Sequence, residues 1–393
     1  MAELDGVNVE RLEGGLARLA TGTDNHIAYV AVGVPAGAVA TAINNGGKGK
    51  IITSRYQAEQ MGINAAFDAN NSLRVYEDIL EIFRLAPDCT LYLFDKVVEA
   101  DFKVFIKSNP QIKGYGLHVT FSSQAPNLVT AINAQQAIIN AFATENRLLD
   151  FALIGFDGLE DYTQDLHTLD APQVSIVVAC NNSAGKTAVG SALGMLAVRK
   201  VSENMASVNI ITKPLQRRGT LDYPLTDGVL NKWPEAFLSN GKAVNAIDSS
   251  VLNDIIEKGF IVAAGYEGYA GVFFENSYTC TAIESDFAFI ENNRTWNKAA
   301  RIVRVTLLPE VKGKVKKEPS TGYIESATLF RWKTLLDKAL NGMVTADEIS
   351  GFEHYINPNQ VVNNTNPLQV TVSVVADGIV HSFEVAIGLT NSI

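Results

Sequence analysis

Cysteine is scarce in this chain, with 3 among 393 residues. Cys89, Cys180 and Cys280 stand far apart and are odd in number, so neither a disulfide framework nor a zinc knuckle is suggested. Basic charge is scarce as well. With 32 Lys and Arg against 42 Asp and Glu, the net charge is -10, which argues against a nucleic-acid surface, where phosphates need clustered cations. The one basic run, KGKVKK at 312–317, leads into EPSTG and reads as a solvated loop. No window of about eighteen uninterrupted apolar residues exists, so no membrane helix is expected. The opening MAELDGVNVE has neither a basic start nor an apolar stretch, so no secretion signal is expected, and folding in a reducing cytoplasm fits. There is no H-E-x-x-H, G-x-S-x-G, G-x-G-x-x-G or calcium loop, and acidic pairs such as Glu160 and Asp161 read as solvated faces.

What is present is apolar mass. At 47% hydrophobic and 19% charged, the chain can bury a large core and has the length for two domains or more.

One stretch invites a chemical reading. VSIVVACNNSAGKTAVGSALGMLAV, residues 174–198, runs from an apolar strand through Gly185-Lys186-Thr187 into an apolar helix. A phosphate-binding loop wraps backbone N–H groups around phosphates, and its Lys and Thr would serve phosphate and magnesium. The first glycine of that pattern is here Cys180, whose Cβ resists the turn the slot needs. Asp157, at the end of the strand FALIGFD, precedes the loop instead of following it. The structural alternative is a helix start after a buried strand, with Asn182 or Ser183 as cap. Cys180 at a strand end admits an acyl-transfer nucleophile or an inert buried thiol. A nucleophile needs a base, and His26, His118, His167, His354 and His381 are scattered.

Residues 26–34, 89–97, 148–158 and 174–180 read as strands, with KGKIITS following the first of them and another strand around SVNIIT at 207–212. The periodicity predicts helices over 56–63, 72–86, 126–147 opened by Pro126, 186–198 and 249–259. FIVAAGYEGYAGVFFE and YTCTAI complete the middle as strands. Alternating strands and helices over 25–285 predict a layered α/β or α+β domain. Beyond Ser285 the pattern changes to long helices over 286–308 and 322–343 and a shorter one over TADEISGFEHYI capped by Thr345. The strands LQVTVSVVADGI and HSFEVAIGLTNSI follow. The final residues carry alternating apolar side chains from Phe383 to Leu389 and finish on Ile393, an edge that calls for cover by another subunit.

Several segments together, DGVNVERLEGGLAR, SRYQAEQMGI, VYEDILEIFRLAPDCTLYLF, ESDFAFIENNRTWNKAARIVR, ALNGMVTADEISGFEHYINPNQ and LQVTVSVVADGIVHSFEVAIGL, resemble the contractile tail sheath family of phage tails, phage-like particles and contractile injection systems. The resemblance implies an α+β fold: an outer α/β layered domain, residues 23–284, inserted into an inner sheath domain made from both chain ends. Residues 1–22 form an N-terminal arm and the start of that inner domain. Residues 285–393 form the rest of it, ending in a C-terminal arm over 380–393. It implies arms that add strands to neighbouring subunits through Val7, Asn8 and Val9 and through Phe383, Val385, Ile387 and Leu389. It places one inner-domain helix on the tail tube, with Lys333 and Lys338, or Asp347, Glu348 and Glu353, offering complementary charge or forming an ordinary solvated face. The implied role is structural, without catalysis, cofactor or metal. The implied partners are further copies in a helical polymer, the tube protein, and baseplate and tail terminator proteins, with no nucleic acid and no membrane insertion. The implied location is the bacterial host cytoplasm during assembly and the finished particle afterwards.

Overall fold

The structure is a computed structural model that describes residues 24–95, 99–120, 127–208, 225–361 and 368–381. The chain divides into two compact units, Met1–Asn297 and Lys298–Ile393.

The first unit contains, in chain order, β1 (His26–Val30), α1 (Ala38–Asn44), β2 (Lys50–Ile52), α2 (Arg55–Gln60), α3 (Ala65–Asn71), α4 (Val75–Leu85), β3 (Thr90–Phe94), α5 (Glu99–Ser108), β4 (Gly114–Thr120) and α6 (Leu128–Thr144). It continues through β5 (Phe151–Asp157), β6 (Val174–Val177), β7 (Ala179–Cys180), α7 (Val189–Val198), β8 (Phe237–Leu238), α8 (Ser249–Glu257), β9 (Ala263–Tyr266) and β10 (Tyr269–Phe274). Six strands form one sheet in the order β2-β3-β1-β4-β5-β6, parallel throughout except for β2. Parallel strands are covered on both faces and therefore read as continuous apolar runs; TLYLF and FALIGFD are buried at every position.

The two faces can be assigned from neighbouring residues of β4. The Tyr115 ring meets Phe102 of α5 and its hydroxyl donates to Gln135 of α6, whereas a Cβ on Gly116 would strike Val189 and Leu193 of α7. Successive strand residues point to opposite faces, so α5 and α6 cover one side of the sheet and α7 the other. Phe102, against Tyr115, also meets Phe105 and Phe142, and Phe105 stacks on Phe94.

Helix α7 also packs tightly on α4. A Cβ on Gly190 would lie 2.4 Å from the Asp78 Cα and carbonyl oxygen, so backbone meets backbone there and only glycine fits. Gly190→Ala is expected to lower stability by about 2–3 kcal/mol despite alanine's better helix propensity, because the clash falls on main chain that cannot rotate away. Urea unfolding checks this as a lower midpoint at unchanged slope.

Several expectations are revised. Helix α5 and strand β4 are additional to the sequence reading, and 174–180 splits into β6 and β7, the latter pairing with β8. The 126–147 helix begins at Leu128 with Asn127 as its cap, the Asn127 side chain accepting from the Thr130 N–H. YTCTAI forms no strand; Tyr278 and Cys280 make isolated bridges to Phe289 and Ala171. The segment 209–212 of the expected SVNIIT strand lies outside the described residues.

Helix α9 (Ile290–Leu307) crosses the unit boundary. The second unit then has α10 (Ser326–Thr345) and an antiparallel pair, β11 (Gly351–Ile356) and β12 (Val370–Val375). Leu329, Trp332, Leu336, Leu340 and Met343 recur at helical spacing as the buried stripe of α10. TADEISGFEHYI is therefore not a helix. Thr345 ends α10, and Asp347 takes a left-handed backbone (φ 57) that lets the Glu348 N–H reach the Met343 carbonyl, the six-to-one closure of a helix end. The chain then enters β11. Its hairpin packs Phe352, Ile356, Val370, Val372 and Val374 inward, while Tyr355 and Val375 are 57% and 58% exposed.

Candidate functional site

Order reverses in the large sheet between β1 and β4: β1 pairs with β3 on one side and β4 on the other. In open parallel sheets such a switch point leaves a crevice beyond the strands' carboxyl ends. Here the crevice holds a charged cluster. His118, near the end of β4, lies with Nε2 at 2.6 Å from Asp78 Oδ2 and Nδ1 at 3.0 Å from Asp157 Oδ1. Asp78 also accepts from the Tyr29 hydroxyl (2.9 Å), Arg74 Nε (3.1 Å) and the Gly190 N–H (3.0 Å). Asp157 accepts from the Thr187 N–H at 2.9 Å and hydroxyl at 2.6 Å.

Electrostatics follow from this geometry. Burial works against a charged imidazole, but Asp157 and Asp78 outweigh it and push His118 up to about 10. Burial would raise both carboxyls, yet His118 chiefly overrides it, holding Asp78 below its usual range and Asp157 at about 2. With both ring nitrogens donating to carboxylates, the imidazolium has no lone pair for general-base work at neutral pH. It clasps α4, β4, β5 and the lead-in to α7.

Gly185-Lys186-Thr187 is no phosphate loop. Helix α7 begins at Val189, not at Lys186, and its cap position is Ala188, whose methyl accepts no hydrogen bond, so neither Asn182 nor Ser183 caps it. The Thr187 N–H and hydroxyl, which would serve phosphate and magnesium, are both bonded to Asp157, and the Gly190 N–H is taken by Asp78. The chain's own carboxylates occupy the anion-binding donors. Lys186 Nζ sits 3.5 Å from Asp157 Oδ2. Cys180 is fully buried, and burial pushes its thiol up to about 12, so the inert reading holds over the nucleophile.

The charged candidates of the second unit separate. Lys333 and Lys338 are on α10, Lys333 half-buried beside the core stripe and Lys338 exposed. Asp347 is exposed in the turn after α10, and Glu353 is exposed on β11, facing Ser373 of β12, not on a helix. Glu348 is buried, 2.6 Å from Lys298 Nζ. Val7, Asn8, Val9, Phe383, Val385, Ile387 and Leu389 lie outside the described residues.

The sequence matches the DUF2586 N-terminal domain over residues 4–278 and the DUF2586 C-terminal domain over residues 286–393. The chain belongs to the DUF2586 family. Among curated proteins, none matches this DUF2586 chain by sequence. Among solved structures it is similar to a chain of the anti-feeding prophage baseplate, at TM-score 0.62 and 12% identity, covering 99% of this chain and 100% of that one. It is also similar to a sheath tail protein from Listeria innocua, at TM-score 0.50 and 9% identity over 91% of this chain and 96% of that one. A sheath tail protein from Desulfitobacterium hafniense gives TM-score 0.50 and 9% identity over 94% and 100%. At such identities the likeness is one of fold. This DUF2586 chain is a mixed α+β protein with the fold of tail sheath proteins.

Proposed function

We propose that this chain is the subunit of a contractile tail sheath. The observation that carries the proposal is the mutual completeness of the fold match: 99% of this chain against 100% of an anti-feeding prophage baseplate chain. A shared domain would align over part of each chain, whereas here both are used up. In this reading, copies polymerise helically around a tail tube in an extended, metastable lattice and shorten on triggering, driving the tube through a target envelope. Head-to-tail contacts that do not close on themselves generate such helical arrays. The driving free energy resides in subunit interfaces and is held by a kinetic barrier, so no fuel is needed at the moment of firing.

The insertion of an outer domain, 23–284, into an inner one made from 1–22 and 285–393 is part of the same proposal. So are the strand-adding arms, the tube, baseplate and terminator partners, and the passage from host cytoplasm to particle. The second unit supports the arm idea physically. Among the described residues, its sheet has just two strands, and an isolated pair is marginal until further strands join it. No described helix is long and apolar enough to cross a membrane.

Negative-stain microscopy of the overexpressed full chain tests the reading. Tubular polymers, formed alone or on co-expressed tube protein, are expected. A chain that stays monomeric at high concentration under both conditions removes it. The competing nucleotide hydrolase would show magnesium-dependent ATP or GTP binding lost in Lys186→Ala, and no binding is expected.

A further inference from the structure

Within the first unit, the turn between Asp227 and Lys232 carries Val229 and Leu230 at its apex, 95% and 54% exposed. A lone exposed apolar side chain is ordinary. These two are neighbours on a turn that is braced from inside. Asp227 and Lys232 exchange both backbone hydrogen bonds at 2.9 Å, the buried Asp227 carboxylate accepts from the Val229 and Leu230 N–H groups at 2.9 Å each, and Lys232 Nζ pairs with Glu77 of α4. A turn ordered in advance loses little conformational freedom when it docks. With both N–H groups taken, Val229 and Leu230 offer carbonyl acceptors, which meet no donor among the described residues.

The same unit holds a receptor of matching character. Beyond the carboxyl ends of β1, β4 and β5 a cavity of ≈ 530 Å³ opens, walled by Val32, Leu73, Val119, Ala131 and Ala134. That volume is of the order that holds a drug-sized molecule, so two aliphatic side chains fit within it. Its polar end is balanced: Arg74, His118 and Lys186 stand against Asp68, Asp78 and Asp157, which suits an uncharged occupant. One donor is left over. Gln135 of α6, which lines the cavity and is 5% exposed, accepts from the Tyr115 hydroxyl through Oε1, while its Nε2 has no partner among the described residues. A buried amide N–H calls for an acceptor.

We propose that the turn apex of one copy inserts into this cavity of a second copy, with Val229 and Leu230 against the apolar walls and an apex carbonyl accepting from Gln135 Nε2. Plug and socket are different surfaces of one chain, so a single such contact is head-to-tail, and it propagates as a helical array unless its rotation closes a ring. The inference rests on the sheath reading for its choice of a second copy as partner, and it adds a subunit contact separate from the terminal arms.

The test makes Val229→Cys and Ala134→Cys separately in the full chain, then mixes and oxidises them; the native thiols of Cys89, Cys180 and Cys280 are buried and do not compete. A disulfide joining positions 229 and 134 of two copies is expected to form at least about tenfold faster than one between Val229→Cys and Ser108→Cys, an exposed site of α5 outside the cavity. Leu230→Asp puts a charge at the exposed apex and is expected to weaken self-association at least about tenfold by sedimentation velocity, with circular dichroism unchanged. Leu230→Met keeps the apex apolar and should associate as the unaltered chain does. Equal pairing of position 229 with 134 and 108, or unaltered association of Leu230→Asp, overturns the contact even where tubes form and the sheath reading stands. Preferential pairing in a chain that forms no tubes has the opposite meaning: the contact stands and the sheath reading falls.

Discussion

His118→Leu is expected to destabilise the first unit by about 3–5 kcal/mol, the cost of taking from two buried carboxylates the cation they share. The His118 side chain is 12% exposed, and those of Asp78 and Asp157 are 0% and 4% exposed. Surface ion pairs are worth about 1 kcal/mol or less, because water competes for both partners. Here water is largely excluded, and removing the imidazolium leaves Asp78 to Arg74 and Asp157 to Lys186 at 3.5 Å, with no cation between the two carboxylates. Replacing Asp157 by Asn in the same chain should recover part of the loss, since one of the two charges disappears with it. A recovery of zero would mean that leucine's packing, not charge, sets the effect. The raised histidine and the depressed aspartates report one interaction seen from its several partners, so their contributions are counted once.

The same clasp fixes a pH dependence. His118 is raised from an ordinary 6.5 to about 10, so its contribution is full below about pH 6.5 and is lost as pH rises through about 10. Asp157 is depressed from 3.8 to about 2, so its contribution is full above about pH 4 and is lost as pH falls through about 2. The wild-type chain should therefore lose stability steadily from near-neutral to strongly alkaline pH. The part of that slope belonging to His118 should be absent from His118→Leu. Urea midpoints across that range measure the difference, and parallel curves for the two proteins would refute the assignment.

How far the sequence announced this architecture depended on the range of the forces involved. Strands β1, β3 and β5 were legible because burial on both faces makes them uniformly apolar. Strand β4, GYGLHVT, was not, because its glycines look like turn residues; Gly116 is there to make room for Val189 and Leu193 of α7, a packing fact with no local signature. TADEISGFEHYI reads as a short helix with Thr345 as its cap. Yet the left-handed Asp347 ends α10 where glycine is the usual stop signal. The charged cluster was invisible for a different reason. His118 meets Asp78 and Asp157 across 40 and 39 residues, and Thr187 meets Asp157 across 30, so topology alone assembles it. The sequence offered only the aspartate that closes the apolar strand FALIGFD. Likewise Glu348 reads as a surface charge until Lys298, 50 residues away, is found against it.

Removing residues 383–393 is expected to abolish tubes and leave soluble subunits, the largest effect on assembly that a short deletion can have. Phe383, Val385, Ile387 and Leu389 alternate with Glu384, Ala386 and Gly388, so as a strand the segment would present one wholly apolar face. Burying four such side chains contributes about 1.5–3 kcal/mol each, and each ladder hydrogen bond adds a net 0.5–1.5 kcal/mol, roughly. Against an association cost of about 4–15 kcal/mol, one arm by itself makes a marginal contact. In the proposed lattice, however, every subunit would both give and receive an arm, and later contacts would form at the high effective concentration set by earlier ones. Loss of the arm therefore removes assembly cooperatively, not in proportion. Two point substitutions separate this from a general effect of shortening the chain. Ile387→Asp places a charge on the apolar face and should behave like the deletion, while Glu384→Lys changes charge on the other face and should leave tubes intact. Sedimentation velocity and negative-stain images distinguish the outcomes, and full-length tubes from the truncated chain would sink the arm. Tubes lost equally in both point variants would instead locate the requirement in the segment's charge and not in its alternation.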